Sequence, residues 1–99
     1  MKPVVFHTEA DAEFRAAITY LNDQRADIGY DFSDEVEAAV GLIGRQPKLF
    51  PPHGNGFRKC VVRRFGYLIV FFEYDDFVWV SAVYHGRRDP NYWRHRQPQ

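Results

Sequence analysis

The stretch Tyr67–Phe72, YLIVFF, constrains this chain more than any other, because six successive residues are apolar. Strict alternation would mark a strand wet on one face; an unbroken run of this length marks a strand covered on both. It falls far short of the roughly 18 residues that cross a bilayer, so a membrane span is not expected. On either side lie FRKCVVRR (57–64) and FVWVSAVY (77–84), rich in β-branched and aromatic residues and set off by Phe65-Gly66 and Asp75-Asp76. The second half therefore reads as a three-stranded antiparallel meander with YLIVFFEY in the middle.

The first half supplies the cover for one face. After the short apolar run PVVF (3–6), TEAD at 8–11 reads as a helix start, with Thr8 as cap and Glu9 and Asp11 in the first turn. Ala10, Phe14, Ala17, Ile18 and Leu21 then recur at the helical period, with Glu13, Arg15 and Asp23 assigned to the solvent side. RADIG breaks the pattern at Gly29; Phe32, Val36, Ala39, Val40 and Ile43 resume it until Pro47. So short a link makes two antiparallel helices. QPKLFPPHGNG (46–56) is a proline- and glycine-rich connection to the strands. The expected fold is α+β: an N-terminal strand of undetermined pairing, a helix hairpin, then the antiparallel sheet packed on the helices, all in one domain over residues 1–99. Two helices cover only one sheet face. A terminal segment, a second copy or a separate partner chain must close the other, and pattern alone does not choose.

The 99 residues carry no net charge, but residues 1–56 hold 5 Lys/Arg against 9 Asp/Glu and residues 57–99 hold 8 against 4. One half is acidic and the other basic, which gives a dipolar surface able to attract phosphate or an acidic protein. The single cysteine, Cys60, and the opening MKPVVFHTEA, without a long apolar stretch, point to a reducing cytoplasm. Cys60 reads as a small core residue. His7, His53, His85 and His95 are too widely spaced for a metal site, and GNG at 54–56 opens a strand rather than a helix, so it serves a turn rather than a phosphate. No metal and no cofactor are expected.

What remains is basic and aromatic, concentrated in YHGRRDPNYW (84–93). In a meander the first and third strands of the sheet run the same way, so Arg63 and Arg64 end beside Arg87 and Arg88. Four arginines at one sheet end would hold a phosphate or carboxylate bidentately. Against this stands pairing of Arg87 or Arg88 with Asp89 or the helix acids, and packing of Tyr92 and Trp93 on the sheet.

The element order, with the ending VSAVYHGRRDPNYWRHR, VRRFGYLIVF at 62–71 and RQPKLFP before the loop, resembles the RelE/ParE superfamily of bacterial toxins over nearly the whole chain. The resemblance implies the toxin of a type II toxin-antitoxin system, neutralised by an antitoxin from an adjacent gene whose tail lies along the toxin. That antitoxin is then expected on the second sheet face and the adjoining helix grooves, in a heteromeric complex, with a homodimer possible for the toxin alone. Two activities are implied. ParE-like members poison DNA gyrase; RelE-like members cut messenger RNA on the ribosome, with arginine stabilising the charged transition state and another group moving the proton. For a ribonuclease the candidates are His85, Arg88 and Tyr92. For target binding they are Arg63, Arg64, Arg87, Arg88, Tyr92 and Trp93. RelE carries an arginine after the GY that opens its third strand, where Leu68 stands here, and the ParE-like reading is preferred on that ground. A basic binding module unrelated to toxicity is the third possibility.

Overall fold

The structure, a computed structural model, describes residues 1–98. Strand β1 (Val4–Phe6) leads into helices α1 (Thr8–Gln24) and α2 (Ile28–Arg45), a 3-10 turn (Pro47–Leu49), and strands β2 (Phe57–Val62), β3 (Tyr67–Glu73) and β4 (Val78–His85). The sheet order is β1-β4-β3-β2. The meander is antiparallel as expected, with Tyr67 opposite His85 and Val62 opposite Tyr67. β1 joins it parallel to β4, Val4 to Val78 and Phe6 to Val80, so the sheet has four strands and β4 lies inside it. That placement explains why β4 is buried from Val78 to Tyr84.

Both helices pack on one face. Phe32, Val36 and Ile43 are buried there against Ile69, Phe71, Val78, Val80 and Val83, with Phe14, Ile18, Leu21 and Val40 half-buried around them. The residue that starts α1 is His7 rather than Thr8: its Nδ1 accepts the Glu9 N–H at 3.0 Å, and Thr8 is already helical. Gly29 lies inside the first turn of α2 rather than ahead of it. The helices cross so tightly there that a Cβ on Gly29 would sit 2.2 Å from the Ile18 carbonyl oxygen, and the Gly29 N–H donates to Asn22 Oδ1 at 2.7 Å. A glycine was needed for the close approach, not for a break.

One irregularity in β4 governs the rest. Val70 faces Ala82 and Phe71 faces Val80, leaving Ser81 unmatched in a bulge. The extra residue shifts the side-chain phase. Val78 and Val80 face the helices before it and Val83 after it, so Ala82 and Tyr84 turn to the opposite face. There they meet Val70, Leu68 and Phe57 from the sheet and Trp93 and Tyr92 from the C-terminal tail. Trp93 has no exposed surface, and its ring lies 4.8 Å from that of Phe57 in an edge contact. Of the three covers open to the second face, the chain's own tail is the one present at its centre. The expectation that an antitoxin covers this face is corrected accordingly, since Val70, Ala82 and Tyr84 are already out of solvent. Among the described residues no helix is long and apolar enough to cross a membrane.

Candidate functional site

The ends of β2 and β4 share one end of the sheet, where the Gly86 N–H donates to the Gly66 carbonyl at 2.9 Å. Gly66 takes φ +73, and a Cβ there would press on His85 Nε2 at 3.1 Å, so the turn between β2 and β3 is shaped around the imidazole. The four arginines reach this end, but their side chains part. Arg64 turns to α2, at 3.4 Å from Asp31 and 3.3 Å from Glu35. Arg88 turns to α1, at 3.5 Å from Glu13, with its guanidinium 3.6 Å from the centre of the Tyr92 ring. Arg63 and Arg87 are exposed and make no ion pair among the described residues. The acid that meets Arg88 comes from a helix; Asp89 instead accepts the Asn91 N–H at 2.9 Å and shapes the turn.

Glu13 is the centre of the arrangement. Its carboxylate accepts from the Tyr92 hydroxyl at 2.6 Å and from Arg96 Nη1 and Nη2, both at 3.0 Å, besides Arg88. It also takes the Val83 N–H at 3.1 Å, while Arg96 Nη1 donates to the Ser81 carbonyl at 3.0 Å. These two bonds satisfy the outer edge of β4 beyond the point where β1 ends. A carboxylate and a guanidinium thus replace a strand, and in doing so fasten the tail. Burial, then the hydrogen bond to Glu13 and its charge, push the Tyr92 phenol well above its ordinary range. Burial alone would lower the Arg96 guanidinium, but the bonds and charge of Glu13 outweigh it and raise it.

The sequence reading placed Glu13 on the solvent side and gave Arg96 no role. A signal was present: Glu13 stands three residues after Ala10 and four before Ala17, both buried. It therefore lies on the buried stripe of α1, among alanines that leave room for a second side chain.

Of the ribonuclease candidates, Tyr92 donates its only proton to Glu13 and Arg88 shares the same carboxylate, while Leu68 packs into the tail cluster. His85 is half-buried, its ring 5.3 Å from that of Tyr67 in an edge contact and its Nδ1 accepting the Arg87 N–H at 3.2 Å. Trp93 is core and presents no surface to a target. Cys60 is buried, and burial pushes its thiol up, away from a reactive thiolate. Among the described residues no three His, Cys, Asp or Glu side chains are grouped to hold a metal ion.

Comparison with known proteins follows the fold. The chain is similar to a solved structure titled as the chromosomal ParDE TA system from P. aeruginosa. The TM-score is 0.75 at 11% identity, over 86% of this chain and 96% of that one. It is also similar to a free-state structure of the E. coli toxin RelE bearing two arginine-to-alanine changes. There the TM-score is 0.63 at 18% identity, over 87% of this chain and 84% of that one. At such identities the likeness is one of fold. No curated protein sequence matches the chain. The family described as the ParE toxin of type II toxin-antitoxin system, parDE, matches residues 4–90, and the chain belongs to that family.

Proposed function

We propose that this protein is the toxin of a type II toxin-antitoxin pair that acts by binding DNA gyrase and is neutralised by a cognate antitoxin. The observation that carries the reading is the Glu13 carboxylate, which takes up the Tyr92 hydroxyl, Arg88 and Arg96 together. Cleavage of a phosphodiester needs unopposed positive charge around the developing phosphorane and a group free to move a proton. A fixed carboxylate that already holds Arg88 and the Tyr92 hydroxyl opposes both. Binding a protein needs neither, and Arg63 and Arg87 remain available for it.

Ribosome-dependent cleavage of messenger RNA keeps one feature in its favour: His85 stands half-exposed beside Arg87, which has no ion pair among the described residues. The two readings part in cells. Induced expression followed by parallel measurement of plasmid topology and message integrity should show relaxed or cleaved DNA with intact messages. Messages cut at ribosome-dependent positions, with cutting reduced about 10² to 10⁴-fold by His85→Ala, would replace the gyrase reading. A neighbouring gene product that co-purifies with the toxin and restores growth is expected under both. Its contacts must lie outside the tail-covered centre of the sheet or displace the tail.

A further inference from the structure

Beside the basic sheet end, and including Arg87 from it, is a groove. Between the C-terminal half of α1 and the ends of β3 and β4 lie two adjoining depressions of about 280 and 400 Å³. Tyr20, Tyr67 and His85 border both, and Leu21, Phe65 and Arg87 complete the larger. Tyr20 is 58% exposed, a large ring left outside the core at the rim. Burial, and after it the neighbouring Tyr20, push the Tyr67 phenol up, so its hydroxyl stays a donor at neutral pH. The backbone N–H of Arg87 is held by His85, which fixes the turn that aims the residue.

Arg87 differs from the other cations of the C-terminal segment. Arg88 and Arg96 are taken by Glu13, and Arg94 bonds Asn91 Oδ1 at 2.8 Å. Of these four C-terminal arginines only Arg87 has a side chain with no acceptor among the described residues, and a carboxylate is the planar partner its fork fits. A nucleic-acid backbone calls for several free cations in a row, whereas here Asp31, Glu35 and Glu13 take Arg64 and Arg88 and leave, among the described residues, Arg63 and Arg87 at this sheet end. A small metabolite calls for a deeper enclosure than these shallow hollows, which are at the low end of the roughly 300–1,000 Å³ of ligand pockets. An exposed Tyr20 and a half-buried Tyr67 beside an arginine with no acceptor among the described residues are of the residue types that dominate protein–protein contacts.

We propose that the groove bounded by Tyr20, Tyr67 and Arg87 is where the toxin grips its protein target, taking a segment that carries a carboxylate next to an aromatic or branched apolar side chain. The assignment rests on the gyrase reading above and names the surface that reading requires. The carboxylate meets Arg87 and the Tyr67 hydroxyl, and the apolar side chain lies between Tyr20 and Leu21.

The test is inhibition of purified gyrase supercoiling by the full-length toxin and three variants: Tyr20→Ala, Arg87→Glu and, as control, Lys48→Glu in the exposed 3-10 turn. Thermal melts establish that all are folded; Tyr20 and Arg87 are exposed, so little change is expected. Tyr20→Ala and Arg87→Glu should each raise the half-inhibitory concentration about tenfold or more, and Lys48→Glu should match the wild type. If wild type and both groove variants inhibit alike, the groove assignment is wrong while the gyrase reading stands. If the wild type itself is inert, the gyrase reading falls and the groove assignment with it.

Discussion

Replacing Glu13 by glutamine tests the tail latch with almost no change of shape. Glutamine keeps one acceptor oxygen, but presents an NH₂ to guanidinium and hydroxyl groups that are donors. The Glu13 side chain is 14% exposed and that of Arg96 5%, so the variant leaves a buried guanidinium with only the exposed Glu9, at 3.7 Å from its Nε, as counter-charge. Removing one partner of a buried pair costs about 3–5 kcal/mol. The retained oxygen still accepts one bond, and the lower end, about 3 kcal/mol, is expected. For a domain of this size each kcal/mol moves the midpoint by about 4–8 °C, so Glu13→Gln should melt about 12–24 °C below the wild type. The tail should loosen first, and Trp93 fluorescence should shift to the red at temperatures where the helix signal in circular dichroism is intact. Two comparisons make the cause specific. Asp11→Asn breaks the Arg15–Asp11 pair, which at 2.9 Å is as close but is 77% and 44% exposed on its two sides; it should cost less than about 1 kcal/mol. The double variant Glu13→Gln/Arg96→Met removes both charges and should recover at least about 1.5 kcal/mol of the single loss. A Glu13→Gln protein melting within about 3 °C of the wild type would refute the reasoning.

Three further outcomes follow from the fold. Gly29→Ala should cost about 3 kcal/mol or more by driving a methyl group into the Ile18 carbonyl, seen as a lowered denaturant midpoint. Ile43→Ala, at a site without exposure, should cost about 2–5 kcal/mol, and Leu21→Ala, half-buried, distinctly less in the same titration. The third concerns pH. Burial, then Lys59 and Arg94, hold the His53 imidazole below its usual value. The unfolded chain takes a proton there at about pH 6.5 while the folded one resists, so stability is lost as pH falls from that value through the folded one. His53→Gln should flatten this part of the stability–pH curve.

Much of the fold was legible because its signals are local. The helical stripe of Phe14, Ile18, Phe32, Val36 and Ile43 and the apolar run at 67–72 each name a face within a few residues of sequence. The pairing of β1 was not legible, because a parallel neighbour of β4 leaves no turn between the two strands to read. The bulge at Ser81 was equally hidden: VWVSAVY is apolar on both phases, so no alternation betrays the shift that sends Tyr84 to the tail face. For the site, the sheet end where Arg63, Arg64, Arg87 and Arg88 meet followed from strand direction. Where Arg64 and Arg88 then turned depended on Asp31, Glu35 and Glu13, acids 29 to 75 residues away along the chain. Glu13 was the costly omission. An acid among alanines on a helix resembles a solvated face until its partners from β4 and the tail are in place, and the tail partners Tyr92 and Arg96 lie beyond the span matched by the family.

Whether this basic sheet end meets a protein or an RNA decides what the toxin does. The most direct measurement is to titrate the purified toxin, freed of any antitoxin, against gyrase supercoiling of plasmid DNA and, in parallel, against messenger RNA on programmed ribosomes. Loss of supercoiling or accumulation of gyrase-cleaved DNA, with the messenger intact at the same toxin concentrations, is the predicted result. Cleaved messenger with supercoiling untouched would contradict it.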